Sequence, residues 1–223
     1  ADATPDDVVS KLASVADVAQ GFTICFDDLD DHDQFTRHAA ITNRVRDEFE
    51  LETWLVPTHY AGLSSSPYLS GLVGELSDDI AVMWTGRTVV CDSITADDAS
   101  RRSQSAGGRL PVIWDNTPVN DAMMRDLLHL GPYQGRDAGL RDVIAGVLVN
   151  PMEFATASRP TIRSAMAWAN GRDTVAEWAH EVELLGLRAL AEATSFPGDI
   201  HWPGDAPDRD WWRTIAAMPT HDD

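Results

Sequence analysis

Lysine is nearly missing from this chain. Lys11 is the only one, and Lys and Arg together number 17 against 36 Asp and Glu, a formal net charge of −19. A surface so poor in cations repels phosphate backbones and anionic bilayers, which excludes nucleic acid and membrane surfaces as expected partners. Cysteine is scarce as well. Cys25 and Cys91 cannot build the disulfide framework of a small secreted domain, and they read as buried or incidental thiols. No apolar run reaches the roughly 18 residues of a membrane span. No signal peptide is visible, although a chain opening on Ala1 instead of methionine leaves room for a removed upstream segment. Internal repeats and low-complexity linkers are also missing. What is present, 223 residues with 43% apolar and 24% charged, suits a folded domain with a sizeable core.

The stretch Phe22-Thr-Ile-Cys-Phe-Asp-Asp-Leu-Asp30 is an apolar run of strand length that stops on clustered carboxylates. Successive side chains of a strand point to opposite faces, so Asp27 and Asp28 reach one site only if the backbone turns there. Two adjacent acids are hard to ionise together, and one of them tends to keep its proton. Taken alone, such a pair reads equally as a polar loop start or a helix N-cap.

Periodicity organises the rest. Thr4 and Pro5 open a helix with Val8, Leu12, Val15 and Ala19 on one face, ending near Gly21, and Phe35 to Phe49 reads as a second helix. Apolar strands follow at Trp54–Tyr60, Ile80–Gly86, Leu110–Asn116 and Gly146–Met152, with helical stretches between most of them. That alternation predicts a parallel sheet covered on both faces, with its chemistry at the strands' C-terminal ends. Beyond Pro160 the chain turns helical, with a Thr174-x-x-Glu177 capping box opening a stripe of Val175, Trp178, Val182, Leu185 and Ala189. The tail from Ser195 carries Trp202, Trp211 and Trp212, read as docking it onto the domain. The expected organisation is a barrel-like domain over 1–158, packing helices over 159–194 and a Pro/Trp/Asp-rich tail over 195–223.

Four strand-end motifs then line up: Phe26-Asp-Asp-Leu-Asp30, Pro57-Thr-His-Tyr-Ala-Gly62, Trp114-Asp-Asn-Thr-Pro-Val-Asn-Asp121 and Val147-Leu-Val-Asn-Pro151. With Met83-Trp-Thr-Gly86 and Leu130-Gly-Pro-Tyr-x-Gly-Arg136 they resemble glycoside hydrolase family 84, the O-GlcNAcases and bacterial β-N-acetylglucosaminidases, over roughly residues 5–170. The resemblance implies an α/β fold, part of a (β/α)8 TIM barrel matching strands 4–8, followed by C-terminal helices. It implies removal of terminal β-linked N-acetylglucosamine with retention. The sugar's own acetamido oxygen would attack C1 to give an oxazoline, so the two-carboxylate scheme of other retaining enzymes does not apply.

By the same resemblance Asp27 accepts the acetamido N–H and stays ionised, while Asp28 starts protonated and serves as general acid, then general base. Tyr60 is placed near the acetamido group, Trp114 against the acetyl methyl, and Asn116, Asp121 and Asn150 on the pocket and the sugar hydroxyls. Asp30 supports the loop, and Trp84 and Tyr133 are read as structural. Without the family each has a plainer use, as packed aromatics for Tyr60 and Trp114 and as turn residues for the Asn and Asp positions. No cofactor and no metal are implied. Asp27-Asp-Leu-Asp-Asp-His-Asp33 lacks the glycine and distal glutamate of a calcium loop, and His180-Glu181 lacks the second histidine of a zinc protease.

The chain departs from the family pattern by lacking its first three strands, a glycine-containing sugar-binding segment and a substrate-contacting lysine. A whole barrel takes about 250 residues. An open sheet edge is therefore expected, covered by an upstream segment or by a second copy of the chain. The rival function is an inactive homologue that binds GlcNAc or O-GlcNAc glycopeptides. Hyaluronan ranks last, because so acidic a chain repels a polyanion.

Overall fold

A computed structural model describes residues 3–29, 32–121 and 128–193. The sheet has five parallel strands in the order β1-β2-β3-β4-β5: β1 Gly21–Cys25, β2 Glu52–Val56, β3 Ala81–Trp84, β4 Val112–Asp115 and β5 Gly146–Val149. Helices α1 Pro5–Leu12, α2 Phe35–Phe49, α3 Pro67–Glu75 and α4 Ala96–Ser105 fall before and between the first four strands, and a 3₁₀ turn, Ala138–Asp142, precedes β5. Helices α5 Ala155–Ala169, α6 Thr174–Leu184 and α7 Arg188–Ala193 follow. The chain divides into two compact units, Ala1–Asp115 with Asp137–Leu148, and Asn116–Arg136 with Val149–Asp223.

In the first unit one sheet face takes the helices. Ile24, Leu55 and Val82 pack with Val9 of α1, Ala39, Ile41 and Val45 of α2, and Tyr68, Leu69 and Leu72 of α3. Leu55, Leu69 and Leu72 are fully buried, each contributing roughly 1.5–3 kcal/mol of transfer free energy. Gly71 is required where α3 meets α2, because a Cβ there would lie 2.5 Å from the Phe35 ring. The alternate strand residues Trp54, Val56, Met83, Val112 and Trp114 form a separate cluster with Tyr60. The expectation of a sheet covered by helices on both faces is thus corrected: this second cluster is made of strand residues and one loop tyrosine. The strands are also shorter than the apolar runs. β2 stops at Val56, and Pro57–Tyr60 is loop, held where Thr58 Oγ1 donates to the Phe26 carbonyl (2.8 Å).

Thr4 caps α1 in a capping box with Asp7, as its sequence suggests, but the helix ends at Leu12 and Val15 is 46% exposed. Cys91 is buried, Cys25 is exposed, and both are free thiols. Scarce lysine leaves the cross-links to arginine. Arg109 closes the C-terminal end of α3 by donating to the carbonyls of Leu76 (2.7 Å), Ser77 (3.0 Å) and Asp78 (2.8 Å).

Asp98 couples two such joints, accepting from the Thr95 N–H (3.0 Å) at the start of α4 and from Arg87 Nε (2.9 Å). Burial alone would raise its pKa, but the Arg87 and Thr95 bonds hold it below the ordinary carboxylate value. Its stabilisation is therefore complete above the unfolded value near ~4 and is lost as pH falls through the lower folded value. On acidification the thermal midpoint of the wild type should fall more steeply than that of Asp98→Asn, the two curves converging in acid.

In the second unit α5 and α6 pack around Leu130, Met152, Trp178, Val182 and Ala191. The Leu130–Arg136 motif docks on these helices. Trp178 Nε1 donates to the Leu130 carbonyl (2.6 Å), Thr161 Oγ1 to the Gly131 carbonyl (2.7 Å), and the Tyr133 N–H to Ser164 Oγ (2.9 Å). Buried Glu181 of α6 pairs with Arg159 (2.5 Å) and Arg163 (3.7 Å) of α5. Two sequence expectations are corrected here. Asp173, not Thr174, caps α6, its carboxylate accepting from Val175 and Ala176, and Glu177 pairs with Arg172 instead. Helix α5 begins upstream of Pro160 and runs through it, because its first turn closes where the Ser158 N–H meets the Phe154 carbonyl (3.0 Å). Asp30 and the tail tryptophans Trp202, Trp211 and Trp212 lie outside the described residues.

Candidate active site

The turn required after β1 is present. Phe26 extends the pairing by one bond, its N–H donating to the Val56 carbonyl (2.8 Å), and its ring stacks on His38 at 3.8 Å. The chain then turns at Asp27 and Asp28, with Asp28 at φ 57 in the left-handed region. The turn breaks the strand alternation that would force two successive carboxylates to opposite faces. Asp27 is half-buried and Asp28 exposed.

After β2 the loop brings Tyr60 to this turn. Its hydroxyl donates to Asp28 Oδ1 at 3.3 Å. The loop is fixed by backbone bonds, Thr85 N–H to the Tyr60 carbonyl (3.0 Å) and Gly62 N–H to the Gly86 carbonyl (2.8 Å), and by the buried Trp84 indole on the Gly62 carbonyl (2.9 Å). Burial pushes the Tyr60 phenol up, and the charge of Asp28 pushes the same way. Burial likewise raises the Asp27 carboxyl, opposed by a hydrogen bond to its own backbone N–H and reinforced by Asp28. That direction runs against the ionised state that the family role asks of Asp27. Trp114, near the end of β4, lies partly buried in the cluster that holds Tyr60.

The remaining expected residues belong to the second unit. Asn150, directly after β5, donates through Nδ2 to Asn116 Oδ1 (2.9 Å). Asp121 is exposed. Trp84 and Tyr133 are fully buried, in keeping with structural roles.

Sequence reasoning missed the layer behind the turn. Tyr68 of α3 is its hub, its hydroxyl meeting His38 Nδ1 (2.8 Å) and accepting the Thr58 N–H (3.1 Å). His59 meets His32 Nδ1 through Nε2 (2.9 Å) and Ser66 Oγ through Nδ1 (2.7 Å). Ser66-Pro67, a cap followed by proline at the first helical position, was the one readable signal among them. Among the described residues no group of three or more His, Cys, Asp or Glu is placed to hold a metal ion, and no helix is long and apolar enough to cross a membrane.

A sequence model described as beta-N-acetylglucosaminidase matches residues 2–195. Rat and mouse proteins named protein O-GlcNAcase are each 35% identical over 167 residues, which is 67% of this chain and 18% of theirs. In solved structures a Thermobaculum terrenum O-GlcNAc hydrolase mutant superposes with a TM-score of 0.75 at 25% identity, over 85% of this chain and 46% of that one. CpGH84B superposes with a TM-score of 0.76 at 24% identity, over 96% and 42%. This chain thus spans less than half the length of the relatives it matches, and its five strands are part of a β/α barrel, as the sequence implied. It belongs to the β-N-acetylglucosaminidases of glycoside hydrolase family 84.

Proposed function

We propose that the chain carries the acid–base machinery of a retaining exo-β-N-acetylglucosaminidase that removes terminal β-linked GlcNAc from proteins or glycans. The observation that carries this reading is the turn after β1 at Asp27 and Asp28, with the Tyr60 hydroxyl on Asp28. In the proposed reaction the acetamido oxygen attacks C1 as the bond from C1 to the leaving oxygen breaks, and Asp28 gives that oxygen its proton. Asp27 accepts the acetamido N–H. A donor aimed at this carboxylate favours its ionised form and so offsets the burial that raises its pKa. Asp28 then takes a proton from the water that opens the oxazoline at C1. Trp114 would wall the acetyl methyl, and Asn116, Asp121 and Asn150 would hold the pocket and the sugar hydroxyls.

Among the described residues β1 pairs with β2 alone, so the sheet has an edge there. Further barrel strands or a second copy would complete the site at that edge.

The test is hydrolysis of an aryl β-N-acetylglucosaminide by the purified chain, followed by proton NMR of the fresh product. The β-anomer should appear first and mutarotate afterwards. The α-anomer first would sink the acetamide-assisted route, and saturable GlcNAc binding without turnover would establish the binding module.

A further inference from the structure

Two catalytic loops of the first unit are joined behind the site by a contact that is not itself catalytic. His32 lies four residues beyond Asp28, and His59 directly precedes Tyr60; their rings meet at 2.9 Å. Ser66 Oγ accepts the Leu69 N–H (3.1 Å) and also meets His59 Nδ1 (2.7 Å). Between His59 Nε2 and His32 Nδ1 a single proton is shared in a hydrogen bond. The other face of His59 meets the Tyr68 ring, centroids 4.7 Å apart. Its carbonyl, on the peptide bond that leads into Tyr60, accepts from Arg102 Nη2 at 3.0 Å. Arg102 is 1% exposed, and burial pushes its guanidinium down to about 10. A buried cation is costly to keep unless its donors hold something in place. Here it reaches from α4 to the peptide that sets where Tyr60 stands.

We propose that His59 and Arg102 are positioning residues for the hydrolytic site. His59 ties the Tyr60 loop to the Asp28 loop through His32, and Arg102 fixes the backbone from behind, so that the Tyr60 hydroxyl meets Asp28. The inference rests on the reading of Asp28 and Tyr60 as site residues. The joint is also sensitive to acid. Two cationic rings cannot share it, because both facing nitrogens would then hold protons. Among the described residues the charged or titratable groups facing His59 are His32, Arg102 and Tyr68, of which the first two act on its charge. Burial first, then these two, lowers the His59 pKa, so the ring stays neutral to a lower pH than an ordinary histidine.

The test uses His32→Ala, which changes an exposed side chain, with Arg102→Met and Arg102→Lys, each checked by thermal unfolding. The first readout is independent of turnover. Tyrosinate absorbance of each variant, differenced against the same variant carrying Tyr60→Phe, isolates Tyr60 from Tyr68 and Tyr133. Its ionisation should fall from its raised position toward the ordinary tyrosine value near ~10 in His32→Ala and Arg102→Met, and less in Arg102→Lys. The second readout is kinetic. With the aryl glycoside, kcat should drop roughly tenfold with KM within about twofold, since misplacement costs the transition state more than the bound substrate. An unmoved Tyr60 titration in a folded variant overturns the proposal. A shifted titration in a chain that turns nothing over sustains the positioning role and removes the hydrolase reading. If Arg102→Met does not fold, His32→Ala decides alone.

Discussion

On the proposed reaction, Asp28→Asn should lower turnover of an aryl β-N-acetylglucosaminide with a poor leaving group by about 10²–10⁴, the span of general acid catalysis. The loss has a signature that separates chemistry from folding. A strongly activated dinitrophenol departs without a proton, so the first step with that substrate should be nearly spared and the second step should limit. Water still needs its base there. Azide does not, and adding it should restore turnover and give the β-glycosyl azide. Asparagine is the right replacement for a structural reason. Asp28 sits at φ 57, where Asn is among the residues best tolerated, whereas alanine adds a strain of roughly 1–2 kcal/mol that would blur the reading. Equal loss with both leaving groups would count against Asp28 as the acid.

Trp84→Ala is the expected worst case for stability, at about 3–5 kcal/mol for the cavity. Its indole is fully buried at the end of β3, and its N–H is bonded to the Gly62 carbonyl. Truncation also leaves that carbonyl short of a donor, which costs about a further 1–3 kcal/mol where water cannot replace it. A domain with about 5–15 kcal/mol in hand loses much of its margin. Trp84→Phe keeps most of the volume and drops only the hydrogen bond, so its urea midpoint should fall between wild type and alanine. If both variants unfold with the wild type, the indole is a spectator. Because Gly62 closes the loop that begins at Pro57, the phenylalanine variant should also loosen Tyr60.

The features that could be read from sequence are the ones decided by neighbours along the chain. The Asp27–Asp28 turn follows from a largely apolar strand-length run ending in two acids, and it appears as a left-handed residue at the second, although only Ile24 of β1 is buried. Helix α2 runs over Phe35–Phe49, the span its apolar spacing marks, and Thr4-Pro5 caps α1. The end of β2 was overrun because Thr58 and Tyr60 are residue types that strands favour, while the role of Pro57–Tyr60 is to carry Thr58 onto the Phe26 carbonyl and Tyr60 onto Asp28. The capping box at Thr174 failed because Asp173, one residue earlier, is an equally good cap and wins. Arg102, His32 and His59 could not be found this way. Their meaning depends on contacts across 43 and 27 positions, and a lone histidine or arginine in sequence carries no mark of being buried or paired.

The division of arginine partners, carboxylates for exposed Arg44 and Arg46 and backbone carbonyls for buried Arg102 and mostly buried Arg109, sets how the chain responds to ionic strength. Exposed ion pairs such as Arg44 with Glu48 and Arg46 with Asp79 fade as counter-ions crowd in over a Debye length that shrinks to about 3 Å at 1 M. The clasp of Arg109 on the end of α3 joins a mostly buried cation to neutral oxygens at contact distance, and dissolved ions have little room to intervene. Concentrated electrolyte would meanwhile quiet the mutual repulsion of a molecule carrying −19. The joints would therefore loosen in an order set by partner type, surface pairs first and carbonyl clasps last, and the end of α3 would hold its shape in brine that has already undone its decorations.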